Sequence, residues 1–238
     1  MEDFFSVCCQ EIESAYLELG HRKSWRFLYT SARTLSPSSK LWFIGLNPGG
    51  DAYEPPSSSV EMGNAFLVES WNGCKPGSSP LQIQVQKLFH LVAQNSPQPI
   101  EVASLMNKSL FANLVPFRSK NWGALERKSE SIQFSVSLWK KIFTHIEPKV
   151  IITMSNITNR HLRDIAAVSG YCKDNDQVQP IGWGKTSYSI ERLANTDKKL
   201  DIVRLPHLST FKIFSRTRCK PAMQTMIDEI GDLLNAKT

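Results

Sequence analysis

Four short, mostly apolar runs bounded by glycine or proline constrain this chain more than any other feature. They are Leu41-Trp42-Phe43-Ile44, stopped by Gly45, Pro48, Gly49 and Gly50; residues 110–115, stopped by Pro116; Val150-Ile151-Ile152, introduced by Pro148; and Ile202-Val203-Arg204-Leu205, broken by Pro206. Runs this short and this apolar read as strands covered on both faces. A helical stripe lies between each run and the next: Leu81, Val85, Leu88, Phe89 and Val92; then Phe134, Leu138, Trp139, Ile142, Phe143 and Ile146; then residues 158–168. Phe4, Cys8, Ile12 and Tyr16 recur every four residues and mark an opening helix that ends near Gly20. Met223, Met226, Ile227, Ile230 and Leu233 mark a closing one. Residues 188–193 read as a lone edge strand, and residues 51–80, rich in proline, serine and glycine, as a long ordered loop. Strands alternating with helices predict an α/β fold, a three-layer sandwich around a short, mostly parallel four-stranded sheet. No linker or internal repeat divides it, so residues 1–238 are expected to form a single domain, with 1–35 as a helical N-terminal extension.

Composition narrows the function classes. At 41% hydrophobic and 21% charged residues the chain can bury an ordinary core, which excludes global disorder. No stretch approaches the roughly 18 unbroken apolar residues of a membrane helix. The opening Met1-Glu2-Asp3-Phe4-Phe5 is acidic where a signal peptide is basic. A cytoplasmic protein is the expectation, nucleoid-associated if prokaryotic, with no membrane partner. A net charge of +6 allows a polyanionic partner without demanding one. The cysteines, Cys8, Cys9, Cys74, Cys172 and Cys219, are odd in number and include no C-x-x-C pair, so buried free thiols are expected and a metal site is not. Gly184-Lys185-Thr186 looks like the end of a phosphate loop, but Gln179 stands where the leading glycine belongs.

Three segments fall at the carboxyl edge of the expected sheet, where ligands of open α/β sheets bind. Gly45-Leu46-Asn47-Pro48-Gly49 is a tight turn after a strand; it either simply ends the strand or holds the Asn47 amide in the cleft. Asn113 is a polar amide in an apolar strand and must cap a turn or meet a ligand, because an unpartnered buried amide costs roughly 1–3 kcal/mol. His207 follows the last strand, whereas His21, His90, His145 and His161 fall in helical patterns or at a helix end; it either packs the loop or acts in the cleft. From Arg204 to Lys220 the chain holds Arg204, Lys212, Arg216, Arg218 and Lys220 with no acidic residue, interleaved with Phe211, Ile213 and Phe214. A helix with a solvated face explains that pattern, and so does a loop touching a phosphate backbone.

Together these segments resemble the uracil-DNA glycosylase superfamily, in order and approximate spacing from about residue 40 to 220. The counterparts are Gly45-Leu46-Asn47-Pro48-Gly49 for the family's first turn, Asn113-Leu114-Val115-Pro116 for its base-reading asparagine, and His207-Leu208-Ser209 for its late histidine loop. Gly63-Asn64-Ala65-Phe66 lies where the family places a stacking aromatic, and Glu147-Pro148-Lys149-Val150-Ile151-Ile152 resembles its penultimate core strand. The turn asparagine and Asn-Leu-x-Pro look most like the single-strand-selective and mismatch-specific branches. Leu208 stands where the family usually has proline, and the four cysteines of its iron–sulfur branches are missing.

The resemblance implies a monofunctional DNA glycosylase that hydrolyses the N-glycosidic bond of a flipped uracil-like or modified pyrimidine, leaving an abasic site. Asn47 and His207 are then catalytic. Gly45, Leu46, Phe66, Asn113 and Ser209 line the base site, with Trp71 as the substitute for Phe66. Leu208, Thr210, Phe211, Lys212, Arg216 and Arg218 face single- or double-stranded DNA, and a side chain from 208–211 fills the gap left by the base. No cofactor is implied, and the chain is expected to be a monomer. Two other readings remain: a glycosylase for a bulky modified pyrimidine of foreign DNA, acting in defence, and a catalytically silent nucleic-acid-binding member of the same fold.

Overall fold

A computed structural model describes residues 3–50 and 54–235. The acidic Met1-Glu2 and the first positions of the expected 51–80 loop, 51–53, lie outside the described residues.

Helix α1 (Phe4–Leu19) opens on Asp3, whose carboxylate accepts from the Ser6 amide, and closes on Gly20 at φ 67°, a left-handed cap that glycine adopts freely. Then come β1 (Leu41–Gly45), the single turn α2 (Ala65–Val68), α3 (Pro80–Gln94), α4 (Val102–Lys108) and β2 (Leu110–Asn113). The chain continues through α5 (Lys128–His145), β3 (Val150–Thr153), α6 (Asn156–Val168), β4 (Cys172–Pro180), β5 (Ser187–Ala194) and β6 (Lys199–Arg204). It closes with the one-turn α7 (Leu208–Phe211) and α8 (Lys220–Asn235).

The strands form one six-stranded mixed sheet in the order β2-β1-β3-β6-β5-β4. From β2 to β6 neighbours run parallel, while β5 and β4 add an antiparallel hairpin. The expected sheet of four strands is therefore corrected to six. Strand β4, Cys-Lys-Asp-Asn-Asp-Gln-Val-Gln-Pro, is exposed throughout apart from a half-buried Gln177. A strand with both faces in water needs no apolar alternation, so it leaves no periodic signal. Its pairing moves β5 inside the sheet, where residues 188–193 had read as an edge. The helices α2 and α4 are likewise too short to show a stripe.

Alternate β1 side chains enter opposite cores. Trp42 and Ile44 pack with residues of α1, α5 and α6; Leu41 and Phe43 pack with residues of α3 and α8. Helices on both faces explain why these strands read as unbroken apolar runs. The segment after α1 packs against the sheet. Leu28 bridges to Ala112 on the open side of β2, Arg26 bridges to Ser57, and Phe27 and Leu28 are fully buried.

Candidate active site

The parallel strands end in step. Gly45 pairs with Asn113, Ile44 with Thr153, and Thr153 with Arg204. The next row across the sheet is therefore Asn113, Gly45, Met154 and Leu205. Asn47 and His207 each follow two positions beyond that row. They leave strands separated only by β3, and so stand about 10 Å apart at strand level, from a spacing near 4.8 Å per strand.

Asn47 is half-buried and held by three acceptors: its Nδ2 donates to Ser119 Oγ at 2.8 Å, Pro48 O at 3.1 Å and Phe117 O at 3.4 Å. Ser119 Oγ gives its own proton to Asn121 O at 2.8 Å, so it offers Asn47 a lone pair. Every neighbour of Nδ2 is an acceptor, which fixes the amide orientation. The Oδ1 atom has no donor among the described residues and is free to accept from a water.

Asn113 lies on the same sheet face as Phe43, Phe111 and Phe66. Its Nδ2 donates to Tyr29 Oη at 2.8 Å. Its Oδ1 fills the space beside Gly45, where a Cβ would lie only 2.1 Å from that oxygen. This close approach requires glycine at position 45. Leu46 is half-buried against the α1–α5 core, and its carbonyl accepts from Val115 N.

His207 is exposed and begins α7, its carbonyl accepting from the amides of Thr210 and Phe211. The Nδ1 atom pairs with Ser209 Oγ at 2.9 Å. Desolvation lowers its pKa from the usual 6.5, which favours the neutral imidazole at pH 7.

Phe66 is only 5% exposed and is ringed by Trp71 at 4.8 Å, Phe111 at 5.3 Å, Phe43 at 5.7 Å and Tyr29 at 5.8 Å between centroids. Of the two aromatics expected to stack on a base, the half-buried Trp71 has more ring surface to offer.

The basic loop divides in two. Leu208 is fully buried and belongs to the core, which removes it from the expected DNA-facing set. Arg216 sets its guanidinium 3.8 Å from the Trp183 ring centre, and its Nε donates to Phe211 O at 2.9 Å. Phe211 meets the same indole edge-on at 5.7 Å. Arg216 and Phe211 thus brace the loop. Thr210, Lys212 and Arg218 are exposed. Lys212 sits at the loop's tip with φ 48°, a left-handed conformation uncommon outside glycine.

No family model matches this chain, and no curated protein does.

What the site can do follows from its own groups. Among the described residues no three His, Cys, Asp or Glu are placed to hold a metal ion. Burial pushes the Cys8 and Cys9 thiols up to about 12 and about 11, which leaves both protonated and unreactive. No helix among the described residues is long and apolar enough to cross a membrane. A cavity of about 230 Å³ lined by Leu41, Val92, Leu105 and Ile227 opens at the amino end of β1, the far edge of the sheet from Asn47 and His207. Three residues that matter to the site, Tyr29, Ser119 and Trp183, carry no sequence signal, since each meets its partner through distant chain segments.

Proposed function

We propose that this protein is a monofunctional DNA glycosylase acting on a uracil-like pyrimidine turned out of DNA, with Asn47 and His207 as its catalytic residues. The observation that carries this reading is their matched emergence two positions beyond one row of the sheet. A flat base set between them meets a hydrogen-bond donor on one side and a positioned water on the other.

In this reading Asn47 Oδ1 accepts a hydrogen bond from the attacking water and aims its oxygen at C1′ of the sugar; as the new C1′–O bond forms, the water's spare proton passes to solvent or to the departing base anion. An amide is too weak a base to take that proton outright, so Asn47 contributes by orientation. As the C1′–N1 bond breaks, its electron pair passes into the base and charge gathers on O2. When Ser209 donates to Nδ1 of the neutral His207, the ring proton stands on Nε2, a donor for that developing charge. Asn113 reads the O4/N3 edge, and Trp71 with Phe66 supplies the aromatic wall. Lys212, Arg218 and Thr210 form the phosphate-facing surface, and the chain works as a monomer on DNA.

The test uses oligonucleotides carrying uracil, damaged pyrimidines or bulky modified pyrimidines, incubated with the protein and then treated with alkali. Strand breaks confined to one modified position, and lost roughly a hundredfold in Asn47→Ala, are expected. Intact strands with every oligonucleotide would reject the reading.

A further inference from the structure

The antiparallel hairpin of β4 and β5 carries its tip, residues 181–186, to the same edge of the sheet as His207. Strand β5 pairs with β6 through Ser189 and Arg204, and that register carried three positions further brings Thr186 level with His207. The tip closes on itself. Ile181 N donates to Thr186 O at 3.1 Å, Thr186 N to Trp183 O at 3.3 Å, and Thr186 Oγ1 to the same carbonyl. Ile181 is fully buried in the core that also holds Leu208, Ile213 and Cys219.

The tip is also seated on the basic loop. Gly182, at φ 86°, comes so close that a Cβ there would lie 2.6 Å from Arg218 O. Trp183 takes the Arg216 guanidinium over its ring and Phe211 against its edge. Behind the tip, Arg204 donates from Nε to Ser189 Oγ and from NH2 to Ser187 Oγ, each at 3.2 Å, which ties β6 to the start of β5. Tip and loop therefore form one packed unit.

That unit is strongly one-signed. Neither 177–190 nor 202–227 contains an Asp or a Glu, and together they hold Lys185, Arg204, Lys212, Arg216, Arg218 and Lys220. Arg204 and Arg216 brace the structure. Lys185, Lys212, Arg218 and Lys220 are exposed, and no carboxylate of a described residue pairs with them. The other end of the hairpin is balanced instead: Lys173 pairs with Asp176 at 2.8 Å. Like charges held together on a rigid unit repel one another, and a polyanion relieves that repulsion.

We propose that the hairpin tip is a second phosphate-contacting element, with Lys185 meeting the backbone of the DNA strand that crosses Lys212 and Arg218. Taking DNA as the polyanion rests on the glycosylase reading above. Exposed cations supplied by two chain segments match the repeated charges of a nucleic-acid strand, each contact releasing a counterion. Trp183 is the positioning residue: it fixes the tip against the loop, so that both present their cations together.

The experiment follows binding of a fluorescein-labelled single-stranded oligonucleotide of ordinary bases by anisotropy, through a salt series. It compares the wild type, Lys185→Ala, Lys185→Arg and Lys199→Ala. Lys199 is exposed at the opposite end of β6, so its loss changes the net charge equally without touching the tip. All these side chains lie in solvent, and the melting temperatures should stay near wild type. The slope of log affinity against log salt should fall by about 0.7 in Lys185→Ala, the value for one phosphate contact on a single strand. It should keep its wild-type value in Lys185→Arg and in Lys199→Ala. An unchanged slope in Lys185→Ala overturns this inference and leaves the glycosylase reading standing. So does an equal fall in Lys199→Ala, because net charge alone then sets the slope, and so does a wild type that fails to bind at low salt. A wild type that binds, and loses slope with Lys185→Ala, yet gives no alkali-sensitive site in any modified oligonucleotide, overturns the glycosylase reading and leaves the hairpin contact standing.

Discussion

At the scale of single residues, the candidate site depends on the Asn47 amide, oriented by the acceptors around its Nδ2, and on the His207 imidazole. If the protein is the glycosylase proposed above, a neutral His207 would stabilise charge that appears on the base only as the bond breaks, and so would lower the barrier more than it strengthens binding. Removing such a donor typically costs about 2.7–4 kcal/mol of activation energy, or roughly 10²–10³ in rate. His207→Ala should accordingly lose most single-turnover excision while its melting temperature and DNA affinity stay near wild type. A variant that melts early, yet excises at the wild-type rate per folded molecule, would assign His207 to loop packing instead. Gly45 makes a steric prediction of a different kind. A methyl group there would overlap Asn113 Oδ1, which lies 2.1 Å from the Cβ position. Gly45→Ala should therefore destabilise by about 1–3 kcal/mol, as overpacking does, and impair excision by displacing Asn113. Denaturant unfolding and an excision assay on one preparation would read both effects.

At the scale of elements, α7 and the turns after it behave as one braced unit. Leu208 anchors it in the core, and Arg216 and Phe211 both lean on Trp183, which the chain supplies from the loop between β4 and β5. Between Leu208 and Cys219 the exposed cations are Lys212 and Arg218. Neutralising these two should lower the slope of log affinity for DNA against log salt by about one to two units, because each cation that meets a phosphate releases roughly one counterion. Arg216→Ala should instead loosen the loop and cut excision through disorder around His207, with a slope change smaller than that of the Lys212/Arg218 pair. Titrations in a salt series distinguish the two. Equal slopes for wild type and the Lys212/Arg218 variant would place this loop away from DNA.

At the scale of the whole molecule, the sheet buries charge where the antiparallel hairpin joins the parallel strands. Asp201 on β6 is 5% exposed, and desolvation raises its pKa from 3.8 to about 6, with Glu229 adding to the rise while Arg192 and Lys199 oppose it. Between those two values the folded protein keeps a proton that the unfolded chain has lost. Stability attributable to this group is therefore fully present below about pH 4 and declines as pH rises through about 6. The full effect is on the order of 3 kcal/mol at 1.36 kcal/mol per pKa unit. Asp201→Asn should raise the melting temperature at pH 7 and flatten its dependence between pH 4 and 7. A variant that melts lower than wild type at pH 7 would show that the Arg192 pairing, 3.9 Å away, outweighs the burial.

The sequence alone determined the parallel half of the molecule. Strands β1, β2, β3 and β6 are sandwiched between helices, and a strand wet on neither face is mostly apolar, so each announced itself as a short apolar run with a glycine or proline beside it. The same runs located Asn47, Asn113 and His207, because the residue after a parallel strand falls at the edge where ligands bind. Tertiary structure alone decided the rest. Strand β4 is held by backbone pairing to β5, and backbone hydrogen bonds do not depend on side-chain identity. Leu208 looks like a loop-tip residue in sequence, yet the turn of α7 rolls it into the core. Ser119 holds Asn47 from 72 positions away, and Tyr29 holds Asn113 from 84. A hydrogen bond between segments so distant is a product of how the layers close, and no local pattern of residues can encode it.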